Sequence, residues 1–265
     1  MQNQKNCYEN VWILSGTSDG PILVNKLLKL NFIVFVSVVT PKACDSYSKN
    51  PKLHIITGKL NDSLEIINFI KKNKIKFVVD ATHPFAEIIS KNLNKACKEI
   101  NMSLLVFNRK LLIKNSNNFN YISDLRGIDK NHLKNKNILL AIGSKYLDDT
   151  AKYYMNFGAN VFARVLPTSE SISKAFSSCV KNSNIAILAP SKNMENNLEK
   201  QLCFFWKIDI VLCRESGSYS QKLWEKIITE SNKKLFLVKR PLLEYSKSNS
   251  FFDHDSLINF IKGEY

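Results

Sequence analysis

The chain has four histidines in 265 residues, and the placement of His83 asks for an explanation. It lies in Asp80-Ala81-Thr82-His83-Pro84-Phe85, where the apolar run Phe77–Val79 stops and an amphipathic pattern begins. An imidazole, a hydroxyl and a carboxylate around a proline-stiffened turn at a strand end can bind a polar ligand or move a proton. Helix capping is the plainer use for a single histidine, but three clustered polar groups favour a ligand site. A second turn, Gly16-Thr17-Ser18-Asp19-Gly20, follows the apolar run Val11–Ser15 and precedes a helical pattern with Pro21 in its first turn. Small residues there let backbone N–H groups approach a phosphate at a helix N-terminus. The turn lacks the G-x-G-x-x-G spacing, and an ordinary capped turn reads the same way.

The second half offers three more strand-end turns. Gly143-Ser144-Lys145 is an anion-binding helix start with a lysine beside it. Arg164 ends an apolar run ahead of Thr168 and Ser169, and Arg214-Glu215-Ser216-Gly217-Ser218 follows another. Capping explains Thr168 well. It explains Lys145, Arg164 and Arg214 poorly, because the three cations fall at one expected edge of one sheet.

These turns need elements to hold them. Strand-like runs alternate with helical patterns along nearly the whole chain, which predicts an α/β protein with parallel sheets. In the first half the strands are expected near 11–15, 32–38, 53–56, 76–80 and 103–107, with helices after Pro21 and over 62–73 and 85–100. Residues 109–136 are polar and weakly patterned and read as the crossing between domains. The rhythm then restarts, with strands near 137–141, 161–165, 184–188, 209–213 and 234–238. Helices are expected over 146–157, 169–180, 194–206 and 219–230, with a last amphipathic segment at 256–261. The product is two Rossmann-like domains, 1–120 and 121–265, with parallel sheets whose strand C-termini face a shared cleft. In such folds ligands sit at that edge.

Composition narrows the partners. No apolar run approaches the roughly 20 residues that cross a bilayer, and Val11–Leu14 is too short for a signal peptide, so a cytoplasmic protein without a membrane partner is expected. Six cysteines are scattered with no C-x-x-C, which suggests reduced thiols rather than a disulfide framework or a metal site. The net charge of +15 would suit nucleic acid. However, the lysines are dispersed and no aromatic-interleaved basic strip appears, so no nucleic acid is expected. Coding bias and a small polyanionic ligand both remain open as sources of the charge. The end of the second strand, Ser37-Val38-Val39-Thr40-Pro41-Lys42, has hydroxyls and a cation but none of the carboxylates that NAD-binding domains place there. That suits the extra phosphate of NADP, although Lys42 reads equally as a solvated surface residue.

The motifs "ILSGTSDG", "VSVVTP", "GKL", "VVDATHPFAEIISKN", "IGSK", "ARVLPTSES", "IDIVLCRESG" and "VKRP" together resemble the precorrin-6A reductase family of cobalamin biosynthesis, over essentially Val11 to Pro241. The block from Asp80 to Ala86 is the most specific of them. The resemblance implies a two-domain reductase with NADPH bound mainly by the N-terminal domain. Hydride would pass to one double bond of precorrin-6A, or its cobalt form, lying between the domains. It implies pyrophosphate contacts at Gly16, Thr17 and Ser18, with Asp19 in the same turn, and Thr40 and Lys42 near the adenosine end. Asp80, Ala81, Thr82, His83 and Pro84 would line the nicotinamide side. Ser144, Lys145, Arg164, Arg214, Glu215, Ser216 and Gly217 would face an anionic tetrapyrrole, and His83, Lys145 or water would deliver a proton. A monomer or weak homo-oligomer is expected. Another NADP-dependent reductase of the same architecture and a non-catalytic nucleotide-binding protein are the rival readings. Three positions depart from the family pattern: Ser15 where a second glycine is common, Arg214 for a frequent lysine, and "LAPSKN" at Leu188–Asn193 for a Gly-Pro turn.

Overall fold

A computed structural model describes residues 9–110, 117–189, 198–241 and 249–263. The chain divides into two compact units, 1–110 together with 241–265, and 111–240. The first unit is built on β1 (Asn10–Ser15), β2 (Ile33–Val38), β3 (Leu53–Thr57), β4 (Ile75–Ala81), β5 (Leu104–Phe107) and β12 (Ser250–Phe251). These form one sheet in the order β12-β5-β4-β1-β2-β3, and every pairing in it is parallel.

Continuous apolar runs make such strands because both faces of a parallel sheet are covered by helices. In β1 the side chains alternate. Val11 and Ile13 join a core with Leu23 and Leu27 of α1 (Asp19–Lys29) and with Leu257 and Ile261 of α8 (His254–Gly263). Trp12 and Leu14 join the opposite core with Ile66 and Ile70 of α2 (Ser63–Lys72) and Leu93 of α3 (Glu87–Glu99). Fully burying each such side chain contributes about 1.5–3 kcal/mol, so β1 is held firmly from both faces of the sheet.

The second unit repeats the plan. Its strands are β6 (Phe119–Ile122), β7 (Asn137–Ala141), β8 (Asn160–Val165), β9 (Ile185–Ile187), β10 (Ile210–Arg214) and β11 (Lys234–Val238), in the order β6-β11-β10-β7-β8-β9. Again all pairings are parallel. The helices are α4 (Leu147–Asn156), α5 (Ser169–Phe176), α6 (Leu198–Phe205) and α7 (Tyr219–Thr229).

Both sheets have the doubly wound order of dinucleotide-binding folds, in which the direction of winding reverses beside the first strand. Here the reversal falls between β1 and β4 in one unit and between β7 and β10 in the other. The α/β, two-sheet architecture expected from the sequence is therefore the one observed. The expected domain division at 120/121 is not. The sixth strand of the first sheet is β12, which pairs with β5 and is followed by α8, so the end of the chain returns to the first unit. The stretch read as a crossing contains β6, which pairs with β11. Both missed strands are short and sit at sheet edges, where patterning is weak. Helix ends also shift. The expected helix over 85–100 begins at Glu87, the one over 169–180 ends at Phe176, and Met194 at the expected start of α6 lies outside the described residues. Among the described residues no helix is long and apolar enough to cross a membrane.

Because α8 completes the core of the first unit, Ile261→Ala is expected to destabilise it by about 2–5 kcal/mol. Hydrogen exchange checks this. Amides of β1 and β4 should exchange faster, while those of β7 and β10 keep their wild-type rates.

Candidate functional site

In the first unit the sheet register sets Leu14 beside Asp80 and Ser15 beside Ala81, so the two turns that leave β1 and β4 emerge side by side. The Gly16 amide donates to the Ala81 carbonyl at 3.4 Å. A Cβ on Gly16 would lie 3.1 Å from the His83 nitrogen and 3.4 Å from the Thr82 Cα. Any other side chain would require the adjoining turn to give by a few tenths of an ångström, so glycine suits their close approach. The two motifs that stood out in sequence are thus one surface at the winding reversal.

Asp80 is buried and holds this surface from below. Its Oδ1 accepts from the Thr82 amide at 3.0 Å and from Thr82 Oγ1 at 2.6 Å, and its Oδ2 accepts from Ser90 Oγ on α3 at 2.6 Å. Asp80, expected among the cofactor contacts, thus makes three internal bonds that fix the turn on the helix. The Cys97 thiol on the same helix is pushed up to about 12 by burial and, secondarily, by the Asp80 charge, so it stays protonated and unreactive. His83 is half-buried, and its Nδ1 accepts from the Phe85 amide at 3.3 Å. In the neutral ring the proton then sits on Nε2. Thr82 and Pro84 are likewise half-buried.

The Gly16–Gly20 turn shows a similar division of labour. Thr17 Oγ1 donates to Asp19 Oδ2 at 3.0 Å and lies 3.5 Å from the Ala81 carbonyl. The carboxylate of Asp19, expected in the cofactor turn, has partners within the chain: Arg109 Nε donates to Oδ2 at 2.6 Å, and His254 Nε2 lies 3.2 Å from Oδ1. Arg109 Nη2 also donates to Ser18 Oγ at 3.1 Å. Ser15 is buried and accepts from the Tyr47 hydroxyl at 2.8 Å. A Cβ on Gly20 would overlap the Ser15 hydroxyl, so Gly20 accommodates the serine that departs from the family pattern. Thr40 and Lys42 are exposed where the chain leaves β2.

In the second unit the turns after β7 and β10 meet in the same way. Gly143 takes a φ of 84°, and a Cβ there would lie 3.3 Å from Arg214 Nη2. Ser144 Oγ donates to Ser171 Oγ at 3.3 Å, while Lys145 is exposed with its Nζ 4.9 Å from the centre of the Tyr146 ring. Arg214 is half-buried, and burial lowers its pKa from the ordinary guanidinium value.

Four residues expected to face the substrate, Arg164, Glu215, Ser216 and Gly217, are bonded within the chain. Arg164 is buried, and its Nη2 lies 3.5 Å from Oε1 of the buried Glu199 on α6. Burial lowers the Arg164 pKa, and Glu199 partly offsets that. Glu215 is buried and accepts from the Arg240 amide at 3.1 Å. Gly217, at φ 64°, donates its amide to Gln221 Oε1 at 2.7 Å, and Gln221 Nε2 donates to Glu225 Oε1 at 2.7 Å. Ser216 Oγ donates to Ser218 Oγ at 2.7 Å. Thr168 accepts from the Ser171 amide at 3.2 Å, the capping role that its position suggested.

Sequence reading missed Arg109, His254, Glu199 and Gln221. Glu199 shares a helix face with the buried Cys203 four residues on, which is a signal for a buried carboxylate. Nothing local marks His254, because its partner is 235 residues away. Within "LAPSKN", Pro190 to Asn193 lie outside the described residues. Among the described residues no group of three His, Cys, Asp or Glu side chains is placed to hold a metal ion, and Cys44, Cys97, Cys179, Cys203 and Cys213 form no disulfide.

Fold and turns together define a protein with two doubly wound units, each with its polar turns gathered at the winding reversal. Residues 10–262 match the family model described as precorrin-6x reductase CbiJ/CobK. The chain belongs to the precorrin-6x reductase family. A cobalt-precorrin-6A reductase of Methanocaldococcus jannaschii is 29% identical over 255 residues, covering 95% of this chain and 98% of the relative. One from Synechocystis is 27% identical over 225 residues, covering 83% and 84%. Among solved structures, a CobK precorrin-6A reductase superposes with a TM-score of 0.78 at 17% identity and covers 96% of each chain, which supports the fold.

Asp80→Ala would leave the Thr82 and Ser90 donors without their buried acceptor. An unsatisfied buried donor costs about 1–3 kcal/mol, so urea unfolding should show a loss of at least that size.

Proposed function

We propose that this chain reduces one double bond of precorrin-6A, or of its cobalt form, with NADPH as the hydride donor, as a step of cobalamin biosynthesis. The observation that carries the reading is the family match over residues 10–262. It is supported by the way Gly16 admits the Thr82–His83 backbone at the winding reversal of the first sheet, where such folds bind dinucleotides. The chain leaves β2 through Thr40 and Lys42 with no carboxylate between Val38 and Lys42, which fits a cofactor carrying a 2′-phosphate.

In this reading the first unit holds the cofactor. Gly16, Thr17 and Ser18 receive the pyrophosphate at the start of α1, whose N-terminal dipole favours negative charge. Ala81, Thr82, His83 and Pro84 line the nicotinamide side. Asp80 acts behind them by fixing the turn, and Asp19 by its pairing with Arg109. NADPH supplies a hydride when bound. The protein must then hold the donor and acceptor carbons about 3–3.5 Å apart and keep water from the reacting face.

The second unit presents cations to the carboxylates of the macrocycle. Lys145 and Arg214 are the side chains that reach its surface at the expected edge, while Arg164, Glu215, Ser216 and Gly217 shape the turns around them. Hydride addition to one carbon of a double bond requires a proton on the other. His83, Lys145 or water is its source, His83 only by way of its imidazolium, because the neutral ring is too weak an acid to give up Nε2–H.

The decisive assay follows nicotinamide absorbance when purified protein and NADPH meet metal-free or cobalt-bearing precorrin-6A. Oxidation of NADPH with either substrate supports the reading, and none with both rejects it. His83→Ala should lower turnover or NADPH affinity by about tenfold or more while leaving the protein folded; unchanged kinetics would return His83 to a capping role. Lys145→Ala should raise KM for the macrocycle more than for NADPH, and an equal rise in both would refute its assignment to the substrate.

A further inference from the structure

Three segments far apart in the chain meet at one carboxylate. Asp19 occupies the first position of α1 and is nearly buried. Its Oδ2 accepts from Thr17 Oγ1 and from Arg109 Nε, and its Oδ1 faces His254 Nε2. Arg109 follows β5, and His254 opens α8, beyond β12. The His254 ring is set by the sheet. It stacks on Phe107 of β5 with centroids 4.8 Å apart and planes 22° from parallel. Phe107 is in turn the register partner of Phe251 on β12.

We propose that Arg109 and His254 are positioning residues for the dinucleotide. Through Asp19 they hold the first turn of α1, and with it Gly16–Ser18, in the shape that receives the cofactor's phosphates. The proposal rests on reading the first unit as the NADPH-binding one.

The chemistry supports the assignment at each link. An aspartate at the edge of a phosphate site would repel its ligand. The Arg109 guanidinium, 2.6 Å away in a partly buried charge-assisted bond, offsets that charge. The same guanidinium reaches Ser18 with Nη2, so one rigid fork ties two successive residues of the turn. Thr17 carries the tie onward, since its hydroxyl lies between Asp19 and the Ala81 carbonyl. A turn held from both sides before the ligand arrives needs less ordering on binding, and affinity rises accordingly. The nearby Lys26–Asp255 pair also joins α1 to α8, but its members are 37% and 77% exposed. Exposed pairs contribute little, which makes it a control on the same two helices.

The test is a fluorescence titration of the full-length protein with NADPH, with steady-state kinetics on the same variants. His254→Ala should weaken NADPH binding by about tenfold, with kcat at saturating cofactor and KM for the macrocycle within about twofold of wild type. His254→Gln keeps an amide donor toward Asp19 and should recover most of the affinity. Arg109→Lys keeps the charge but loses the fork, and should fall between Ala and wild type at position 254. Asp255→Ala should change nothing. The clamp is rejected if His254→Ala binds NADPH like wild type. It is also rejected if its loss follows a fall in melting temperature and His254→Gln restores neither. A wild-type protein that binds no NADPH would overturn the reading of the first unit and the clamp with it.

Discussion

The peptide that joins Thr82 to His83 runs across Gly16 so closely that a single added carbon would meet the His83 nitrogen at 3.1 Å. That approach follows from the sheet, because β1 and β4 are hydrogen-bonded neighbours whose last residues, Ser15 and Ala81, are in register. If the register slipped by one residue, every side chain of β1 would change faces, and Val11 and Ile13 would leave one core for the other. The two apolar cores that clamp β1 thus also fix where the two polar turns meet.

Within each unit the ionisable groups at or near the strand-end turns divide into those that build and those that remain toward solvent. Asp80, Asp19, Glu199, Glu215 and Arg164 are buried, each with its charge or its lone pairs engaged by neighbouring chain. A buried charge is tolerated only with such partners. Lys42 and Lys145 are exposed and Arg214 half so. The motifs therefore mix residues open to solvent with residues that shape the turns, and burial is what separates the two.

The two units reach the same strand order by different routes. In the first, the sixth strand comes from the end of the chain, and in the second, from before its first strand. The final helix thus serves the first unit, burying Leu257 and Ile261 with Leu23 and Leu27 and bringing His254 to Asp19. A segment that reads as a loose amphipathic end has structural weight in the unit where the chain begins.

By itself the sequence determined the alternation of apolar runs and amphipathic segments, hence two parallel sheets, and it marked Gly16–Gly20, Asp80–Phe85, Gly143–Lys145 and Arg214–Ser218 as the turns that matter. Those signals are local: each is a run, a period or a turn residue within a few positions. Capping at Thr168 was legible for the same reason. Tertiary structure alone decided that β12 and β6 complete the sheets, because strands of two and four residues carry too little pattern to announce a partner. It alone decided that Asp19, Asp80, Arg164 and Glu215 face inward, since a charged residue at a strand end reads the same whether its partner is a ligand or a distant segment of chain. The partners, Arg109 and His254 for Asp19 and Glu199 for Arg164, become neighbours only when the sheets close, and pairing across such sequence distances leaves no local trace.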